Sequence, residues 1–193
     1  MKRILMIVGD FTEDYEVMVP FQALEMLEIQ VDVVCPGKKK GDTILTAIHD
    51  FEGYQTYTEK VGHHFTLTAS YEYLDLSEYD GLYLTGGRAP EYLRREKRVL
   101  DITKYFMELN LPVAAICHGI QILTAAGVIE GRTLTAYDAV GPEVTCAGGN
   151  YKRVEACDVV VDDNLVTSPA WPGHSNLLRA FIKLLGVTII EVS

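Results

Sequence analysis

Long apolar runs, paired cysteines and basic charge are what this sequence has least of. No run approaches the ~18–20 apolar residues that a membrane-crossing helix needs, so no membrane span is expected. Lys and Arg number 17 against 27 Asp and Glu, a net charge of −10. Such a chain repels phosphate backbones, so a nucleic-acid partner is not expected. The one basic run, Lys38-Lys39-Lys40, follows Pro36-Gly37 and reads as a solvated loop. The four cysteines (Cys35, Cys117, Cys146, Cys157) contain no CxxC spacing, which argues against a zinc knuckle. The opening apolar stretch is too short for a secretory signal and has no small-residue cleavage site after it. It reads as a first strand at the start of the chain, with a cytoplasmic location and reduced cysteines expected. At 193 residues, with 48% hydrophobic and 23% charged residues, the expectation is one globular domain over 1–193.

What is present alternates between short apolar runs and amphipathic stretches. Arg3 to Val8 is a strand covered on both faces, Glu16 to Leu27 a helix, and Ile29 to Cys35 a second strand ended by Pro36-Gly37. This βαβ unit implies a parallel sheet. From Gly41 to about Ser77 the pattern weakens, and loops with short hairpin strands are expected. Asp80 to Thr85 is again a strand, followed by a helix with Val99, Ile102, Phe106 and Leu109 on one face. Pro112–Ile116 reads as a buried strand and Gly119–Ala126 as an apolar helix. Further strands are expected near Thr133–Ala136, Val159–Val161, Leu165–Thr167 and 187–191, with a helix from about Asn176 to Leu185 before the last. The whole reads as an α/β sandwich.

Three segments carry chemistry. In Ala115-Ile116-Cys117-His118-Gly119 a buried strand runs directly into a helix with a cysteine at the junction, the setting of a nucleophile elbow. The helix N-terminus there would favour a thiolate, and the turn's N–H groups could receive an oxyanion. Gly86-Gly87-Arg88-Ala89-Pro90-Glu91 also ends a strand and opens a helix, and its glycines allow close approach to a ligand. It lacks the GxxxxGK pattern of a phosphate loop. Asp10 to Glu16 places four carboxylates where α/β folds put their sites. One of them beside Cys117 could stay protonated and donate to the sulfur, and composition does not choose between Glu13 and Glu16.

Together these segments resemble the ThiJ/PfpI (DJ-one-like) superfamily, within the flavodoxin-like, class I glutamine amidotransferase-like fold. The resemblance rests on the Cys117 elbow, the Gly86–Leu93 segment and Glu13-Asp14-Tyr15-Glu16-Val-Met-Val-Pro-Phe-Gln-Ala-Leu. It extends through Val34-Cys35-Pro36-Gly37, Ala47-Ile48-His49-Asp50-Phe51 and Thr135-Ala-Tyr137-Asp-Ala-Val-Gly-Pro142. It implies a three-layer sandwich with a mostly parallel central sheet. It also implies that Glu16 is the acid bonded to the nucleophile Cys117, with His118 beside it. Glu91 is implied to pair with that histidine from a neighbouring subunit, which makes a homo-oligomer the expected assembly. The backbone N–H groups of Gly87 and His118, with Gly86 in the same loop, are implied as the oxyanion site. His174 corresponds to a pocket-lining or helix-capping position. Adjacent His63 and His64 would point apart in an extended segment, His49 reads as structural, and no metal or cofactor is expected.

The branch resembled includes plant tandem-domain glyoxalase-type proteins and PfpI-like intracellular proteases. The leading expectation is therefore a glutathione-independent glyoxalase that converts methylglyoxal to lactate through a Cys117 hemithioacetal. A cysteine peptidase using Cys117, His118 and Glu91 is the alternative, with a peptide rather than a small carbonyl as substrate. A third reading is a redox-sensing or chaperone-like stress protein, since a reactive cysteine beside a carboxylic acid is easily oxidised.

Overall fold

The computed structural model describes residues 1–188. The inner strands of its central sheet are short and almost wholly buried, as continuous apolar runs require when helices cover both faces of a sheet. Strand β1 spans Arg3–Ile7 and helix α1 spans Asp14–Met26. They are followed by β2 (Gln30–Val34), β3 (Thr43–Asp50) and β4 (Thr58–Thr66). Next come β5 (Gly81–Leu84), α2 (Pro90–Leu93), α3 (Lys97–Glu108), β6 (Val113–Ile116) and α4 (Ile120–Ala126). The remainder comprises β7 (Thr133–Leu134), α5 (Gly141–Cys146), β8 (Asn150–Tyr151), β9 (Val160–Asp162), β10 (Leu165–Ser168) and α6 (His174–Leu184).

Six strands form the central sheet in the order β2-β1-β5-β6-β10-β9, parallel throughout except for the edge strand β9. The expected α/β sandwich with a mostly parallel sheet is the observed fold. Alternation along the strands sends successive side chains to opposite layers. Leu5, Ile7, Leu82, Leu84, Val113 and Ala115 pack on Val99, Ile102 and Phe106 of α3 and on Ile122 and Leu123 of α4. Their neighbours Ile4, Met6, Tyr83, Ala114 and Ile116 pack on Val17 and Leu24 of α1 and on Leu177 and Phe181 of α6.

The order reverses beside β1: the chain goes to β2 on one side and to β5 on the other. Such a switch point opens a crevice at the carboxyl ends of the strands. The β1–α1 loop, the turn after β5 and the turn after β6 all meet there.

Differences from the sequence reading lie outside the central strands. The weakly patterned stretch is one long antiparallel hairpin, β3 and β4, forming its own two-stranded sheet. The strand expected at Thr133–Ala136 is only Thr133–Leu134, and it pairs with β8 instead of joining the central sheet. Helix α6 begins two residues before the expected Asn176. The strand expected near 187–191 falls largely outside the described residues. Among the described residues no helix is long and apolar enough to cross a membrane.

Candidate active site

Strand β6 delivers Cys117 to the crevice with φ at 56°, the left-handed region that a non-glycine residue adopts only at a cost. A single 3-10 turn, Cys117–Gly119, then leads into α4. The turn is possible because Gly119 has no side chain: a Cβ there would lie 2.6 Å from the Leu84 carbonyl oxygen. The strand-to-helix elbow expected from the sequence is therefore present.

Gly86 and Gly87 close the other side. A Cβ on Gly86 would meet Glu16 Oε2 at 2.4 Å and Cys117 Cβ at 2.7 Å, so this position admits only glycine. The absence of a side chain lets the Gly86 N–H reach Glu16 Oε2 at 2.8 Å. The other oxygen, Glu16 Oε1, is buried with no hydrogen-bond partner among the described residues. Burial, followed by the nearby charge of Glu13, pushes the Glu16 carboxyl well above the usual carboxylate range; bonds to Gly86 and Cys117 pull it back only in part. A neutral carboxyl avoids leaving a buried, half-bonded charge.

The thiol was expected to be lowered by the helix N-terminus, and its surroundings do otherwise. Burial and the Glu16 charge push Cys117 up, against the pull of the Gly87 and His118 backbone N–H groups. Sulfur and carboxyl thus titrate as one pair that resists carrying two negative charges. Any negative charge that forms on the sulfur faces the two backbone donors Gly87 and His118.

His118 Nδ1 lies 3.2 Å from Cys117 Sγ. Its ring stacks on Tyr137 at 4.9 Å and meets Tyr57 edge-on at 5.8 Å. Burial, with a smaller push from the charge of His49, lowers His118 to about 4, so the ring is neutral near pH 7 and can accept a proton. Glu91 is exposed on α2, and among the described residues no hydrogen bond joins it to His118. His174 does not line the cavity around Cys117. It is the first residue of α6, and its position in that helix buries the ring, whose Nε2 has no partner among the described residues. Burial lowers it to about 4.

The cavity over the sulfur is small, about 20 Å³, and is lined by Glu13, Glu16, His49, Tyr57, Tyr137 and Trp171, among others. Through Phe51, Tyr137, Ala170 and Trp171 it shares walls with an outer groove of about 650 Å³. The sequence reading takes His49 as structural and gives no role to Phe51, Tyr57 or Tyr137. The segments Ala47–Phe51 and Thr135–Pro142 stood out only as matches to the family. Among the described residues, no group of three or more His, Cys, Asp or Glu side chains is placed to hold a metal ion.

A parallel sheet with a cysteine elbow, a buried glutamic acid against its sulfur and two glycines opposite defines the class. Residues 2–184 match the DJ-1/PfpI family, and the chain belongs to it. It is 54% identical over 189 residues to Protein DJ-1 homolog D of Arabidopsis thaliana, covering 97% of this chain and 49% of that one. The chain thus spans about half the length of the first plant relatives it matches. It is 34% identical to a Pyrococcus abyssi protein named deglycase, covering 95% of this chain and 99% of the relative. Schizosaccharomyces pombe DJ-1 shares the fold with a TM-score of 0.74 at 22% identity, over 98% of this chain and 93% of that one.

Proposed function

We propose that this domain is a cofactor-independent glyoxalase-type enzyme that converts methylglyoxal to lactate and glyoxal to glycolate. The observation that carries the reading is the cavity over Cys117, bounded by Glu16 and walled by aromatic rings. Its 20 Å³ hold about one water-sized group. A terminal aldehyde presents such a group, whereas a peptide carbonyl carries chain on both sides, which disfavours the peptidase alternative. The 34% identical relative named deglycase is a further support for an enzyme of this general kind.

In the proposed sequence the Cys117 sulfur adds to the aldehyde carbon, forming a C–S bond. The oxygen takes up a proton, and the hemithioacetal results. The Gly87 and His118 N–H groups face the sulfur and receive the developing oxyanion. A proton then leaves the former aldehyde carbon and returns to the neighbouring carbon through an enediolate, with His118 or Glu16 as the carrier. The product is a lactoyl thioester. Water cleaves it to lactate and the free thiol, so the oxidation of one carbon balances the reduction of the other.

In the same reading Glu91 approaches His118 from a second copy of the chain, in a homo-oligomer. Methylglyoxal loss and lactate formation, assayed without glutathione for the wild type and Cys117→Ser, test the activity. Turnover is expected only in the wild type. Equal rates in the two proteins would refute it.

A further inference from the structure

His49 is held at both ring nitrogens by carboxylates. Nδ1 lies 2.6 Å from Glu13 Oε2, and Nε2 lies 3.1 Å from Glu59 Oε2. A neutral imidazole has one N–H and can donate to only one of them. Glu59 supplies no proton of its own, because Arg88 binds it through Nε at 3.0 Å and Nη2 at 2.8 Å, an arrangement that suits a carboxylate. Glu13 is likewise an acceptor, its Oε2 taking the His49 backbone N–H at 2.9 Å and its Oε1 that of Tyr15 at 3.3 Å. Against two carboxylates, both ring contacts are hydrogen bonds only when the ring is an imidazolium. The energetics agree: burial works to lower His49, but the bonds to Glu13 and Glu59 outweigh it and leave it raised.

These four residues come from four parts of the fold. Glu13 ends the β1–α1 loop, His49 lies near the end of β3, Glu59 lies near the start of β4, and Arg88 follows β5. The chain Glu13–His49–Glu59–Arg88 therefore ties the β3–β4 hairpin to the strand ends that hold Cys117. Between β3 and β4 the hairpin carries Phe51 and Tyr57. Phe51 stacks on Tyr137 at 6.4 Å, and Tyr57 packs edge-on against both His49 and His118.

We propose that His49 is a positioning residue for the reaction: as an imidazolium bridging Glu13 and Glu59, it fastens the β3–β4 hairpin and so holds Phe51 and Tyr57 over Cys117. The inference rests on Cys117 being the reacting group of the proposed function. The groups facing His49 are Glu13 from the β1–α1 loop, Glu59 from β4, Tyr57 from the hairpin turn and His118 from the nucleophile turn, with Arg88 acting through Glu59. Lys60 pairs with Asp50 and with Glu52 at the surface. Because the folded ring is raised above 6.5, the clasp is complete below that pH and is lost as pH climbs through the raised value.

Amide hydrogen exchange at pH 6 and pH 8.5, corrected for intrinsic rates, tests this without substrate. In the wild type, the amides of the paired segments 47–50 and 58–61, at the clasped end of the hairpin, should exchange about tenfold faster at the higher pH, the scale of one charge-assisted bond lost. In His49→Gln they should be fast already at pH 6, with β1 and β5 unchanged and a raised KM for methylglyoxal. Glu59→Gln, at the more exposed end of the clasp, should show the same pattern and decides the matter if His49→Gln does not fold. Wild-type protection of 47–50 and 58–61 in the folded variants, or loss of it only together with β1 and β5, would overturn the proposal. Because exchange needs no turnover, a fast hairpin in His49→Gln alongside an inactive wild type would keep the clasp and reject the glyoxalase reading.

Discussion

Replacing Glu16 with glutamine keeps the side chain's size and removes its proton chemistry. The Gly86 N–H, now 2.8 Å from Glu16 Oε2, retains an amide oxygen as acceptor, so the turn after β5 need not move. What disappears is the acid beside Cys117 that, in the proposed reaction with Glu16 as the carrier, moves a proton between the two substrate carbons. Positioned acid–base groups contribute about 10²–10⁴-fold, or about 2.7–5.5 kcal/mol of barrier, and kcat/KM should fall by that amount. Stability should move the other way. The folded carboxyl is raised above its ordinary value of 4.5, so above that pH the folded state holds a proton that the unfolded state has released. Folding then weakens as pH rises through the window, by up to about 1.4 kcal/mol per pH unit, until the folded group also ionises. Glutamine has no such dependence. Urea midpoints should therefore favour Glu16→Gln over the wild type at pH 7.5, with the gap closing towards pH 5. A variant retaining more than a tenth of wild-type kcat/KM, or parallel stability profiles for the two proteins, would refute the reasoning.

Two further outcomes follow from the same geometry. His118 is lowered to about 4 by burial, so its ring proton resonances should stay flat from pH 5.5 to 8; a titration midpoint near 6.5 would contradict a buried, neutral acceptor beside the sulfur. Gly86→Ala places a methyl group 2.4 Å from Glu16 Oε2 and 2.7 Å from Cys117 Cβ. Overpacking of this kind costs about 1–3 kcal/mol, so its urea midpoint should fall and its activity should be lost, whereas an unchanged midpoint would show that the turn has slack.

The sequence made the central sheet readable because strands buried on both faces must be apolar throughout, and Arg3–Val8 and Pro112–Ile116 show this without tertiary information. Cys117 was readable for a related reason: strand, nucleophile and helix are contiguous in the chain, so their geometry is local. Glu16 was harder. Four acids compete within Asp10–Glu16, and what separates them is that Glu16 is enclosed by Gly86 and Cys117 while Asp10 bonds outward to Lys38, contacts made across the sheet. His49 read only as structural, and its two carboxylate partners were not readable. Its partners Glu13 and Glu59 lie 36 and 10 residues away, on opposite sides of it in the chain. The hairpin that brings them together has too little apolar patterning to announce its register, because much of its surface is turned to solvent. Its role follows from the pairing of charges, and pairing is a property of the folded chain: the same imidazole would be a pocket filler with one carboxylate and becomes a clasp with two. In this fold the reacting atoms are therefore written locally, while the parts that enclose them and set their protons depend on contacts between distant segments.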